Sequence, residues 1–187
     1  MAAWGLFAAA ALWLTRAGLT LDTDSAMRLA QVRDLLHGQS WFDTVQHRMN
    51  TPYGLPMHWS RLVDAPLALL ALVSERFAQT AWPLGLLLAA LLLLGRIAFA
   101  LGGSKAAVTV AALGLLCTEL YAPFTPGNMD HHGLQLVLML AALAGLVEQR
   151  PRLAALAVAL GLGWDWKACL MPPSPAPPPR CGCGTIG

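Results

Sequence analysis

From Trp82 to Leu101 the chain reads WPLGLLLAALLLLGRIAFAL, and Arg96 is its only charged residue. A run of about 20 apolar residues, rising 1.5 Å per residue as a helix, matches the hydrocarbon thickness of a bilayer. Inside lipid every backbone amide must be satisfied within the segment, so such a run crosses as a helix or not at all. The rest of the chain repeats the theme. It is 57% hydrophobic and only 12% charged, with a mean hydropathy of +0.57, whereas soluble domains are about half apolar and a quarter charged.

The apolar runs predict an all-α, polytopic membrane protein with about five transmembrane helices. The first is AAWGLFAAAALWLTRAGLTL, read as a retained span because it lacks a basic leader and a good cleavage site. The second covers about 81–101, the third Ala106 to Pro123 and the fourth Gly133 to Val147, and a fifth begins at Leu153. Ahead of the second, PLALLALV is too short to cross and is read as a partial helix. The net charge of +2 and the scattered basic residues exclude a nucleic-acid partner. The four cysteines form no Cys-x-x-Cys pair and no disulfide framework, since Cys117 lies in an apolar run and Cys169, Cys181 and Cys183 near the chain end.

Residues 21–64 differ in character, carrying Asp22, Asp24, Arg28, Asp34, Asp43, Arg61 and Asp64 among others. A polar connection of this length is commonly functional. Within it SAMRLAQVRDLLHG has helical spacing, with Asp24 or Ser25 as N-cap and Gly38 as the stop, and reads as a short helix along the membrane surface. NTPYGLPMHWSR then reads as an ordered interfacial loop. Basic residues place the turns: Arg96 and Lys105 flank one, Arg150 and Arg152 another, and both are expected on the cytoplasmic side. Span parity then puts the 21–64 loop and the FTPGNMDHH turn together outside, provided that 65–78 does not cross.

The second of these outer segments, PGNMDHHGLQL, concentrates metal-binding chemistry. A single Asp before an apolar run is ordinarily a helix cap. Asp130, however, is followed by His131 and His132, whose neutral imidazoles bind divalent ions. Asp130 and His132 can offer an oxygen and a nitrogen from one turn, and Asp24 or Asp22 of the first loop can add a carboxylate. Such a set with water in the open positions suits Mg²⁺ or Mn²⁺ on a phosphate, and two His with a carboxylate also suit zinc.

With these motifs in view the chain resembles the GT-C superfamily of membrane glycosyltransferases, in particular the oligosaccharyltransferase catalytic subunit. The resemblance covers most of residues 1–160. It rests on DTDSAMRLAQVRDLLHGQSWFD, similar to the acidic motif and external-loop helix after the family's first span, and on PGNMDHHGLQL, similar to its second acidic motif. It implies transfer of a sugar or oligosaccharide from a polyprenyl-(di)phosphate donor at the external face of a bacterial-type inner membrane. It further implies Asp24 and Asp130 as catalytic residues, with Asp24, Asp130 and His132 holding the metal. MHWSR departs from the family pattern; His58 and Arg61 within it are candidates for donor contact, Arg61 either pairing with a lipid phosphate or snorkelling among headgroups. No acceptor-peptide motif or soluble C-terminal domain accompanies the motifs. The competing expectation is a non-enzymatic membrane subunit or transporter fragment whose Asp and His residues cap helices or line a polar path; a lipid-phosphate hydrolase is a third.

Residues 1–163 therefore form the expected membrane unit. From Trp164 the Pro- and Gly-rich sequence WDWKACLMPPSPAPPPRCGCGTIG is expected to end the helix. Joining the third base of each codon to the first two of the next turns Trp164–Asp165, Asp165–Trp166 and Trp166–Lys167 into Gly, Leu and Glu. A frameshift that replaces further membrane helices is the expectation this raises.

Overall fold

The computed structural model describes residues 21–57, 59–116 and 121–170, with scattered positions among the first twenty; side chains of 115, 116 and 164–170 are not included. Most of the expected first span, His58 and the tail from 171 lie outside the described residues. The fold is all-α apart from one two-residue ribbon. Its elements are α1 (Thr23–Leu36), β1 (Val45–Gln46), β2 (Leu55–Pro56), α2 (Arg61–Ala71), α3 (Glu75–Leu116), a 3-10 turn at Ala122–Phe124, α4 (His132–Val147) and α5 (Pro151–Leu170).

Helix α1 begins earlier than either expected cap allows. Asp22, not Asp24 or Ser25, is the N-cap, with Oδ1 accepting the Ser25 N–H at 2.7 Å. The side-chain oxygen of an N-cap reaches the third helical amide, and Ser25 is that residue. Asp24 falls in the first turn, where its charge complements the helix dipole. The stop at Gly38 is as expected: at φ +99 it lets Gln39 N–H reach Asp34 O at 3.0 Å and Gly38 N–H reach Leu35 O at 3.2 Å, closing the last turn. The face that α1 buries is more polar than apolar, because Ser25, Arg28 and Gln31 accompany Leu29 and Val32.

Downstream, β1 and β2 pair antiparallel with Val45 opposite Pro56. Gly54, at φ +76, closes this ribbon where any Cβ would collide with the Val45 side chain. Helix α2 starts at Ser60, whose hydroxyl caps Leu62 N–H at 3.3 Å. Its 11 residues span only about 16 Å, so it is the partial helix the sequence predicts. Leu29 and Val32 of α1, Val63 and Leu67 of α2, and Met129 form one core under the loop. Each buried side chain of this size contributes roughly 1.5–3 kcal/mol.

The expected second and third spans form one 42-residue helical element, α3, broken at Gly102 and Gly103. Gly103, at φ +66 and ψ −160, takes a conformation essentially reserved for glycine. Anchors at its two ends define the direction of the first limb. Gly127 N–H bonds Gln79 O at 2.8 Å near its start, while Arg96 Nε bonds Glu148 Oε1 at 2.8 Å near its end. The first limb and α4 therefore run parallel, and the chain after Gly103 runs back along that length before Tyr121. Leu87, Ala90, Phe124, Leu140 and Ala144 pack between them.

A tight turn joins α4 to α5. Arg150 N–H bonds Gly145 O at 2.7 Å and Gln149 N–H bonds Leu146 O at 3.2 Å, with Gln149 at φ +57. These two bonds are the Schellman pattern. Gly145 lets the helices touch, since a Cβ there would lie 2.6 Å from Ala154 N. Helix α5 continues through Leu170 and overruns the break expected at Trp164. The reason is local: residues 164–170 contain neither Pro nor Gly, and prolines begin at Pro172.

Among the described residues one helix, Glu75–Gly114, is long and apolar enough to cross a membrane; His132–Val147 and Pro151–Gly163 are shorter apolar helices.

Candidate metal centre

The two acidic motifs meet at one end of the helical layer. Ser25 Oγ accepts the N–H of Met129 at 2.9 Å in a buried contact across 104 residues of sequence. Nearby, Arg33 Nε and Nη2 each lie 2.6 Å from a Glu75 carboxylate oxygen, tying the end of α1 to the start of α3. Burial of Met129 in the core beneath α1 and α2 fixes the turn that carries Asp130.

That turn is shaped by its own side chains. Asn128 Oδ1 accepts Asp130 N–H at 3.0 Å, and Asp130 Oδ1 accepts His131 N–H at 2.6 Å. Gly133 lets the start of α4 abut the 3-10 turn, because a Cβ there would stand 3.2 Å from the Phe124 ring. Asp130, His131 and His132 thereby offer one oxygen and two nitrogens, all within 4.8 Å of one another. Burial is graded across them: the Asp130 side chain is 9% exposed, His131 19% and His132 66%.

His131 Nδ1 lies 2.5 Å from Asp130 Oδ1. It is buried and makes no aligned hydrogen bond, so Asp130 is its close ionic neighbour rather than its acceptor. Both atoms belong to the group of three that could hold a metal ion. His132 Nε2 stands 3.1 Å from Asp130 Oδ2, and its Nδ1 is 3.4 Å from Gln135 Oε1, a contact of the kind that orients a ligating imidazole. Burial lowers the His131 pKa below the ordinary histidine value, against the opposing pull of Asp130. The neutral, ligating form is thus favoured.

The other candidate residues fall as follows. Asp24 is exposed on the first turn of α1, next to Ser25, and stands outside the compact group of three. Asp22 is occupied as the N-cap. His131, which sequence reasoning left out of the ligand set, belongs to the group. Arg61 is 2% exposed and turned inward. Its Nη1 reaches Asp64 Oδ2 at 3.2 Å, and its Nη2 reaches Gln39 Oε1 at 3.1 Å and the Asp43 carbonyl. Donor contact from Arg61 would require breaking these bonds; in this structure the residue holds the 39–43 segment.

Sequence reasoning also passed over Arg28. This residue is fully buried, with Nη1 at 2.9 Å from Asp64 Oδ1 and its guanidinium 4.6 Å from the Trp59 ring. Burial lowers its pKa, opposed chiefly by Asp64 and more weakly by the charges of Asp130 and Asp24. Burial raises the pKa of Asp64 in turn, against Arg28 and Arg61. The available signal was helical spacing, which puts Ser25, Arg28 and Val32 on one face of α1. No family model, curated protein or solved structure matches the chain.

Proposed function

We propose that the chain is part of a GT-C-like membrane glycosyltransferase, which moves a sugar or oligosaccharide from a polyprenyl-(di)phosphate donor to an acceptor. The reaction belongs at the external face of a bacterial-type inner membrane. The observation that carries this reading is the Ser25–Met129 hydrogen bond, which joins the two acidic motifs beside a three-residue ligand group. The return of the chain between the parallel first limb of α3 and α4, followed by the reversal from α4 into α5, supports a polytopic reading. Arg96, Lys105, Arg150 and Arg152 gather near the opposite end, in keeping with a cytoplasmic face there.

Asp130 and His131 would hold a divalent ion on its buried side and His132 on its open side, with Asp24 approaching from α1. One oxygen and two nitrogens fit Mn²⁺ better than Mg²⁺, with zinc as the competitor. A bound ion would supply charge stabilisation to a departing phosphate. Asp24, exposed and outside the group of three, is left to accept a hydrogen bond from the acceptor and draw its proton as the sugar bond forms. His132, largely exposed, leaves the donor a path to the centre.

The test begins with Mn²⁺ titration of the purified full chain in detergent. Asp130→Ala is expected to abolish binding, and Asp24→Ala to abolish transfer from a prenyl-linked sugar in membranes carrying the complete enzyme. A parent chain that binds no divalent ion would instead favour the non-enzymatic subunit.

A further inference from the structure

Among the described residues, Arg28 is the one with two buried side-chain donors left without a hydrogen-bond partner. Its side chain is 1% exposed, one of its terminal nitrogens is paired with Asp64, and both Nε and Nη2 are buried with no hydrogen-bond partner. A buried charged donor without a partner is strongly unfavourable and calls for an explanation. Which nitrogens are left over is informative. Nε and Nη2 form the side-on edge of the guanidinium, the pair of parallel donors that matches two oxygens of one phosphate or carboxylate.

This edge belongs to the neighbourhood of the metal group. Arg28 lies one turn along α1 from Ser25, whose hydroxyl holds Met129, and its charge acts on Asp130, His131 and Asp24. Asp64 and Arg61 face it from α2. The half-exposed Trp59 ring lies against the guanidinium. We propose that the Nε/Nη2 edge of Arg28 is an anion site that takes two oxygens of a phosphate group, supplying the positive charge beside the Asp130–His131–His132 group. The inference rests on the phosphate-donor reading of the same site. It adds a residue and a geometry: the cation is bound by the 130–132 turn, while the anion is gripped separately by the buried face of α1.

Inorganic pyrophosphate is the probe, titrated calorimetrically into the full chain in detergent, once with Mn²⁺ and once with EDTA. Arg28→Lys keeps a cation for Asp64 but loses the side-on edge. It is expected to weaken pyrophosphate binding about tenfold or more in both titrations, while Mn²⁺ binding measured alone is unchanged. In the parent chain the Arg28 Nε–H resonance is expected to shift on adding pyrophosphate, a readout that stands even if the variant does not fold. A parent Nε–H resonance that moves with neither pyrophosphate nor phosphatidate overturns the proposal, as does pyrophosphate binding whose affinity is unchanged in a folded Arg28→Lys chain.

Absence of Mn²⁺ binding alongside Arg28-dependent pyrophosphate binding would remove the metal reading and leave the anion site standing. Repeating the resonance measurement in nanodiscs of phosphatidylcholine with and without phosphatidate separates the sources. A shift with phosphatidate alone identifies a lipid headgroup, and a shift only with pyrophosphate identifies a free phosphate.

Discussion

Ser25 Oγ and the Met129 amide are 2.9 Å apart and buried, so a single hydroxyl joins the first-loop helix to the turn carrying the metal group. Replacing it leaves a buried N–H without an acceptor, which costs about 1–3 kcal/mol. Ser25→Ala is therefore expected to lower thermal stability and to weaken Mn²⁺ binding by loosening the position of Asp130. Ser25→Thr, which keeps the hydroxyl, is expected to restore binding. Equal Mn²⁺ affinity in the parent and Ser25→Ala chains would show that the turn is held by other contacts.

Asp64 pairs with two buried guanidiniums at once, those of Arg28 at 2.9 Å and Arg61 at 3.2 Å. Removing one member of a buried ion pair costs about 3–5 kcal/mol, because the remaining charge stays desolvated. Asp64→Ala is expected to be among the most damaging single changes in the 21–71 region, releasing the 39–43 segment that Arg61 holds. Trp59 fluorescence would report this directly, since that ring lies 4.6 Å from the Arg28 guanidinium. An Asp64→Ala chain with unaltered emission and unfolding temperature would refute the claim.

The sequence made the helical layer legible because its signals there are local: apolar runs of bilayer length, adjacent glycines at 102–103, and Gly38 after the periodic stretch. It left the N-cap ambiguous because DTDS offers four oxygen-bearing side chains in a row, and the choice depends on which one reaches the Ser25 amide. The Arg28–Asp64 pair was not legible, since 36 residues separate its members and only the packing of α1 on α2 brings them together. Likewise Arg61 reads as a free membrane-boundary cation until its partners Asp64, Gln39 and Asp43 are placed. The Asp-His-His cluster was plain, but His131's share in it depends on the direction its ring takes beside Asp130.

His131 makes stability depend on pH in a definite direction. Burial holds its folded-state pKa below the ordinary value of about 6.5. As pH falls through 6.5 the unfolded chain takes up a proton that the folded chain does not, so stability declines from there until the lower folded pKa is reached. His131→Gln is expected to flatten this part of the unfolding-temperature profile. Mn²⁺ is expected to protect the parent above this window and to lose its effect within it, as protons compete for the imidazoles. A parent profile that is level between neutral pH and the acid limb would contradict the assignment.

If the chain crosses a bilayer as proposed, its sidedness can be read from four exposed positions. Phe42 and Thr125 are exposed at the end where the two acidic motifs meet, and Ser104 and Gln149 are exposed toward the end marked by the Arg96–Glu148 pair. With native cysteines replaced, single cysteines at these four positions can be labelled in intact cells by a reagent that does not cross the membrane. Reaction at 42 and 125 without reaction at 104 and 149 is the expected pattern, with all four reacting once the membrane is permeabilised. Because Ser25 bonds Met129 directly, positions 42 and 125 must behave alike. A split between them would mean that α2 crosses the membrane, which its 11 residues are too short to do. Reaction at 104 and 149 alone would reverse the orientation and place the metal group on the cytoplasmic side.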